Sequence, residues 1–162
     1  MIPQLLARVR EALRPHLNQP APPRIAGRRP ASSAGENWWY FPPITDGGYQ
    51  RIEVRTDDNY DFARLTWVTC ARCRIALVAK IRVTDEWEGQ GYAARMLLRA
   101  MRGFETYTWV TTTQSAAGQR FFRSMRKSTG AAFTPQAPRC EHMRAVRGAG
   151  LGKPRIENAP PL

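Results

Sequence analysis

The sequence predicts an α/β domain: a central mixed, partly parallel sheet (α+β in its antiparallel part) flanked by helices. Three observations predict it. From Tyr49 onward, Ile52 and Val54 alternate with Arg51, Glu53 and Arg55, the period of a half-buried strand. An apolar run, Ile75 to Val83, passes through Gly89 and Gly91 into a segment where Ala93, Met96, Leu97, Ala100, Met101 and Phe104 recur at helical spacing. A β-branched and aromatic stretch, Thr106 to Thr113, then precedes a second helical pattern. Strand, helix, strand, helix over residues 74–128 implies neighbouring parallel strands joined by a right-handed crossover, added to antiparallel strands before them.

The elements follow in order. Residues 3–14 read as a short amphipathic helix with Leu5, Leu6, Val9 and Leu13 on one face, ended by Pro15. Residues 15–37 are rich in Pro, Ala, Arg, Ser and Gly and read as a mobile linker. Trp38-Trp39-Tyr40-Phe41, closed by Pro42-Pro43, is a first strand, a plug on the core or a stacking platform for bases; core or edge packing is the usual work of such aromatics. Strands are expected over 62–69 and 74–83, after a turn at Asp57-Asp58-Asn59. A helix over 92–103 closes near Gly103. Ser115 caps a helix over 116–128, with Ala117, Phe121, Phe122 and Met125 on its apolar face and Gly130 as its stop. Cys140 to Val146 is expected to be a last strand. The domain therefore runs over 38–147, between an N-terminal helix and linker (1–37) and a Gly/Pro-rich tail (148–162) expected to be disordered.

The 162 residues suit one domain with extensions, and 43% hydrophobic residues with 10% aromatics supply a real core. No apolar run reaches the ~18–20 residues of a membrane span, so no membrane partner is expected. Arg8 and Arg10 interrupt the apolar start, which is not the pattern of a secretory leader, and three cysteines do not make a secreted disulfide framework; both point to the cytoplasm. A net charge of +12 and a pI near 10.8 attract nucleic acid, acidic proteins or anionic ligands. Arginine rows at Arg95, Arg99, Arg102 and at Arg120, Arg123, Lys127 each follow one helix face, read first as solvated faces and second as a surface for RNA or DNA.

The segment Val83-Thr84-Asp85-Glu86-Trp87-Glu88-Gly89-Gln90-Gly91-Tyr92-Ala93 carries the clearest chemistry. Glycines let backbone approach a ligand closely, and the first helical turn offers unpaired N–H groups at a positive dipole end, which together suit an anion. A bare strand-turn-helix, its glycines serving only the turn, is the alternative. The segment resembles the acyl-CoA-binding motif of the GNAT (Gcn5-related N-acetyltransferase) superfamily, Gln/Arg-x-x-Gly-x-Gly/Ala after a strand ending in Val. Gly91, Ala93, Val83, Trp87 and Met96-Leu97 match; Glu88 stands where Gln or Arg is usual. The resemblance covers about residues 49–135.

What the resemblance implies is a GNAT-like fold and transfer of an acyl group, acetyl foremost, from acetyl-CoA or a related acyl-CoA to an amine acceptor that the sequence does not identify. It assigns the pantetheine arm to the backbone of Ile81, Arg82 and Val83. It assigns the pyrophosphate to the N–H groups of Gln90, Gly91, Tyr92, Ala93 and Ala94, and places Glu88 and Gly89 on the cofactor side as the start of that loop. The family's Asn-x-x-Ala-x-x-Leu/Phe-Tyr pattern falls on Ser115-Ala116-Ala117-Gly118-Gln119-Arg120-Phe121-Phe122, which adds Ser115 and Phe122 to the cofactor side. The usual proton-donating Tyr is Phe122, which has no proton to give. Tyr92 and Tyr107 are the nearest alternatives, and Glu86, Glu88 and Glu105 the candidate bases. The two helices that the family places between its first strands have no counterpart but the Pro-rich linker. A non-catalytic module of the same fold, binding nucleic acid or protein, is the competing reading.

Cys70-Ala71-Arg72-Cys73, on a tight turn between two strands, has the geometry of a zinc knuckle, and Cys140-Glu141-His142 would complete a Cys3His set. If Cys73 and Cys140 each precede a strand and those strands run parallel, both halves lie at one end of the sheet. Four filled positions imply a structural zinc. Free thiols and an exposed histidine are the alternative.

Overall fold

The computed structural model describes residues 35–157; the expected helix over 3–14 and nearly all of the linker lie outside them. Six strands form one mixed sheet, with all neighbours antiparallel except one pair. The strands are β1 (Glu36–Phe41), β2 (Tyr49–Thr56), β3 (Asp61–Cys70), β4 (Ile75–Val83), β5 (Thr108–Thr111) and β6 (Arg155–Glu157). Their order across the sheet is β5-β4-β3-β2-β1-β6. Helix α1 (Tyr92–Met101) is the crossover between the parallel strands β4 and β5; α2 (Ala116–Thr129) and the short α3 (Glu141–Ala145) follow. This is the mixed, partly parallel sheet with flanking helices that the alternation and the strand–helix order imply.

The pleat divides the side chains between two cores. Ile52, Val54, Leu65, Trp67, Ala76, Val78 and Trp109 join Met96, Leu97 and Ala100 of α1 and Phe122 and Met125 of α2 in the larger one. Val68, Cys70, Leu77 and Val110 join Met143 of α3 in the smaller one. The aromatic run is strand β1: Trp38 is buried in the larger core, and the Tyr40 hydroxyl donates to Gln50, whose amide donates to Thr69. Glu53, 2% exposed, is held by Arg51, Arg55 and Arg64.

Ser115 caps α2 by accepting the Gly118 N–H at 3.1 Å, and Gly130 ends it at φ +77°, as expected. Three expectations are corrected. Cys140–Val146 is not a strand; Cys140 opens helix α3, whose Met143 reaches the smaller core. The tail is not featureless. Gly152 N–H donates to Pro42 at 2.7 Å, and β6 pairs with β1 through Trp38–Tyr40, placing Glu157 against Arg99. The linker ends earlier than expected, because Glu36 and Asn37 already belong to β1. The connection from β1 to β2, residues 42–48, contains no helix. Among the described residues, no helix is long and apolar enough to cross a membrane.

Candidate functional site

Strand β4 feeds the glycine loop directly. Thr84 N–H donates to Phe62 carbonyl at 2.8 Å, and Trp87 stacks on the Phe62 ring with centroids 3.9 Å apart. A single 3-10 turn, Asp85–Trp87, ends where Glu88 N–H meets Asp85 carbonyl. Gly89 and Gly91 then adopt φ +73° and +83°, a region costly for residues with a Cβ. A Cβ at either glycine would meet nothing within 4 Å, so internal packing does not demand these glycines; their backbone faces open space. Gly91 caps α1 with no side chain to offer, and Arg95 N–H is the first to bond back to it, at 3.0 Å. The N–H groups of Tyr92, Ala93 and Ala94 precede the helix's own ladder and mark its positive end. The exposed carboxylates of Asp85, Glu86 and Glu88 weaken that field. Gln90, also exposed, donates its amide to Glu86 carbonyl at 3.3 Å.

The edge of β4 is the second half of the geometry. Pairing with β3 runs the whole length, to Ala63↔Val83, but shifts register so that Thr66 faces Lys80 and Trp67 faces Val78, leaving Ala79 as a bulge. Pairing with β5 stops at Val78↔Thr111. Thr112 closes the gap, its N–H on Val78 carbonyl (3.1 Å) and its hydroxyl on Ala79 carbonyl (2.9 Å). Past that point, Lys80–Val83 has no strand on its β5 side among the described residues. The structure thus brings Ile81, Arg82 and Val83 into one continuous backbone track with Glu88–Ala94.

The other candidates sit elsewhere or are engaged. Tyr92 packs edge-on to Phe62 (4.9 Å), with its hydroxyl toward Glu36. Burial, then the pull of the Glu36 carboxylate on the phenol proton and the Glu36 charge, push the Tyr92 phenol up to about 12. Burial works to raise Glu36, but the hydrogen bonds and charge of Arg95, with the Tyr92 hydroxyl nearby, hold it below the usual carboxylate value. Tyr107 lies just before β5, at the opposite end of β4 from the loop, with the Arg74 guanidinium 5.1 Å above its ring. Phe122 is 5% exposed and packs against Phe121 and Phe133. Ser115 spends its hydroxyl as a cap. Glu86 is exposed, and Glu105 accepts Gly103 N–H.

The two arginine rows differ. Arg95, 8% exposed, bonds Glu36 at 2.6 Å, and Arg99 bonds Glu157, so of the α1 row only Arg102 is exposed as expected. Arg120, Arg123 and Lys127 of α2 are exposed as expected. Glu36, which organises Tyr92 and Arg95, escaped the sequence reading; its signal was an acid just before an aromatic strand.

At the far end of β4, Cys70, Cys73, Cys140 and His142 place their ligand atoms within 4.8 Å of one another. Cys70 ends β3 and Cys73 lies in the turn, with Arg74 at φ +51° bending the chain back into β4. Asp46 accepts Ala71 N–H (3.1 Å) and fixes that turn. Cys140 arrives as the N-cap of α3, not at the head of a strand, so the convergence is real but its expected route is not. Desolvation, then hydrogen bonding with Cys140 and Cys70, push the Cys73 thiol up to about 11. Burial opposes ionisation of Cys140, yet the Met143 N–H and the other two thiols outweigh it and lower its pKa. The donor set, three soft sulfurs and one imidazole, is compatible with zinc.

No family model matches the chain, and no curated protein matches it. Among solved structures it is similar to the crystal structure of nourseothricin acetyltransferase, with 12% identity, a TM-score of 0.41, and coverage of 62% of this chain and 78% of that one.

Proposed function

We propose that this chain binds an acyl-CoA, acetyl-CoA foremost, along the open edge of β4 and over the Gly89–Gly91 loop, and transfers the acyl group to an amine. The observation that supports this reading is the continuity of the track. The backbone of Ile81–Val83, with no strand on its β5 side among the described residues, suits an extended amide-bearing arm, and the loop and first turn of α1 suit its phosphate end. A bound acyl-CoA would supply a thioester open to attack by a neutral amine. The chain's own part is to hold the arm, seat the phosphates on the N–H groups of Gly91 to Ala94, and aim β4 backbone donors at the carbonyl where charge develops.

A second reading is favoured by two specific side chains. Phe122 has no proton and is buried, and the Tyr92 phenol, pushed up to about 12 by burial and by Glu36, holds its proton tightly. A module that binds acyl-CoA without turnover, with the exposed Arg120, Arg123 and Lys127 meeting an acidic protein or nucleic acid, accounts for both. Calorimetry with acetyl-CoA tests the shared premise: micromolar or tighter binding is expected, lost in Gly91→Glu, which puts bulk and negative charge in the phosphate seat. Absence of binding by the unaltered chain overturns both. Release of free thiol from acetyl-CoA in the presence of a panel of amines then separates the transferase from the binding module.

A further inference from the structure

The sulfur–imidazole cluster joins parts of the chain that are distant in sequence. Cys70 and Cys73 belong to the β3–β4 turn, whereas Cys140 and His142 open α3. Cys73 Sγ lies 3.4 Å from His142 Nδ1. Around a tetrahedral zinc, with Zn–S ~2.3 Å and Zn–N ~2.0 Å, the distance between a sulfur and a nitrogen ligand is about 3.6 Å. All four ligand atoms lie within 4.8 Å of one another, about 1 Å more than the sulfur–sulfur edge of about 3.8 Å around tetrahedral zinc, within reach of side-chain rotation.

The remaining contacts of the cluster agree with metal ligation. His142 turns Nδ1 toward the sulfurs and Nε2 toward Glu141 Oε1, 3.9 Å away. A metal on Nδ1 leaves the proton on Nε2, and a side-chain movement of about 1 Å would let the Glu141 carboxylate accept it, the outer-shell bond that raises a metal-bound imidazole's basicity. Helix α3 has five residues, too few to persist by backbone bonding alone, and Met143 is its sole fully buried side chain. The chain behind it runs to the Pro43↔Leu151 bridge and then to β6 at the outer edge of the sheet. The turn before β2 also presses on α3: a Cβ on Gly47 would stand 3.2 Å from Val146 Cγ2 and 3.3 Å from His142 carbonyl oxygen.

We propose that Cys70, Cys73 and Cys140 through Sγ and His142 through Nδ1 hold one Zn2+, and that this ion fastens the C-terminal segment, residues 140–157, to the β3–β4 turn. Three thiols lose their protons on binding, and three thiolates with Zn2+ leave one net negative charge, beside a turn that carries Arg72 and Arg74. All four positions are filled by protein, so the ion has no site for water or substrate and its role is structural. It stands at the opposite end of β4 from the glycine loop, and the proposal is independent of acyl-CoA binding.

The experiment uses the full chain and the metals Zn2+ and Co2+ as probes. Metal analysis and native mass are expected to give one zinc per chain. Chelation is expected to raise amide exchange in α3 and β6 while β2–β4 stay protected. Cobalt exchanged into the unaltered chain is expected to show thiolate-to-metal charge transfer and tetrahedral ligand-field bands, a readout that needs no variant to fold. Cys140→Ser is expected to lower zinc affinity by more than ~100-fold and Glu141→Gln by about tenfold, because ligand loss exceeds the cost of an altered outer-shell partner. A metal-free native mass with three thiols freely titratable, or a mass two hydrogens lighter from an internal disulfide, overturns the site. Zinc held at unchanged affinity in both Cys140→Ser and His142→Ala overturns the joining of the two halves, as does chelation that leaves exchange in α3 and β6 unchanged.

Discussion

Arg99 and Glu157, 58 residues apart, meet through two parallel hydrogen bonds of 2.7 and 2.8 Å, and so bind the outward side of α1 to the last strand. Arg155 also approaches Glu157, and its guanidinium and that of Arg99 both lie over the Tyr40 ring, at 4.7 and 5.5 Å. The pair is only partly screened, since Arg99 and Glu157 side chains are 24% and 18% exposed. Glu157→Ala should therefore cost about 1 kcal/mol in chemical denaturation, toward the upper end for a surface pair because the geometry is bidentate. A cost indistinguishable from that of an exposed control such as Glu86→Ala would show β6 to be held by its backbone alone.

Glu36 and Tyr92 give the fold two pH limits. Glu36 titrates below its ordinary 4.5, so its contribution is present above that value and is lost as pH falls through the folded-state pKa. Tyr92 titrates near 12 instead of 10, so its contribution is present below pH 10 and is lost as pH rises toward 12. Tyr92→Phe should flatten the alkaline limb of stability against pH, and Glu36→Gln the acid limb. Unchanged limbs in both variants would place the titration elsewhere.

Glu88 sets the affinity of the glycine loop without building it. Its carboxylate is exposed, and its backbone is spent on Asp85. Glu88→Gln removes one negative charge beside the proposed phosphate seat and should tighten acetyl-CoA binding several-fold, more at low salt than at high. Weaker binding in that variant would mean that the loop does not meet the phosphates.

Phe122→Tyr separates a core residue from a catalytic position. A hydroxyl placed between Phe121 and Phe133 lacks a ready partner and should cost about 1–3 kcal/mol of stability with no gain in turnover. Faster acyl transfer at unchanged stability would put this position at the reacting atoms and relocate the site.

For the basic surface, Arg120, Arg123 and Lys127 are the residues to reverse, because Arg95 and Arg99 of the α1 row are occupied by Glu36 and Glu157. If α2 meets nucleic acid, triple Glu substitution should abolish binding at low salt and reduce the salt slope by roughly one unit per lost phosphate contact. Acetyl-CoA affinity should be unaffected.

The sheet's centre was legible because its residues obey one period. Ile52 and Val54, the run into Val83, and the spacing from Ala93 to Met101 each have enough length to declare strand or helix. The misread pieces were short. Cys140–Val146 fits a strand or a single helical turn equally well, and only Met143 in the smaller core decides it. β6 has three residues, and its one apolar side chain, Ile156, is 64% exposed, so no hydrophobic pattern marks it. The cysteine cluster was visible from residue type and spacing, although the path of the chain into it was not. Arg95 and Arg99 looked solvated because their partners lie more than fifty residues away, a distance at which sequence carries no pairing signal.

The strand order bears on how the chain acquires its structure. From β1 to β4, neighbours in the sheet are neighbours in sequence, joined by short turns. Their closure entropy is small, and such a meander can form early. β6 is the opposite case: Trp39↔Ile156 closes a loop over almost the whole described chain, and three ladder pairs with the Arg99–Glu157 bond reward it. The C-terminal strand is thus the last to dock and the first to leave. β1 is made before β6, so among the described strands its outer hydrogen-bonding row has no partner until Arg155–Glu157 follow, and in that interval it is open to edge-to-edge association.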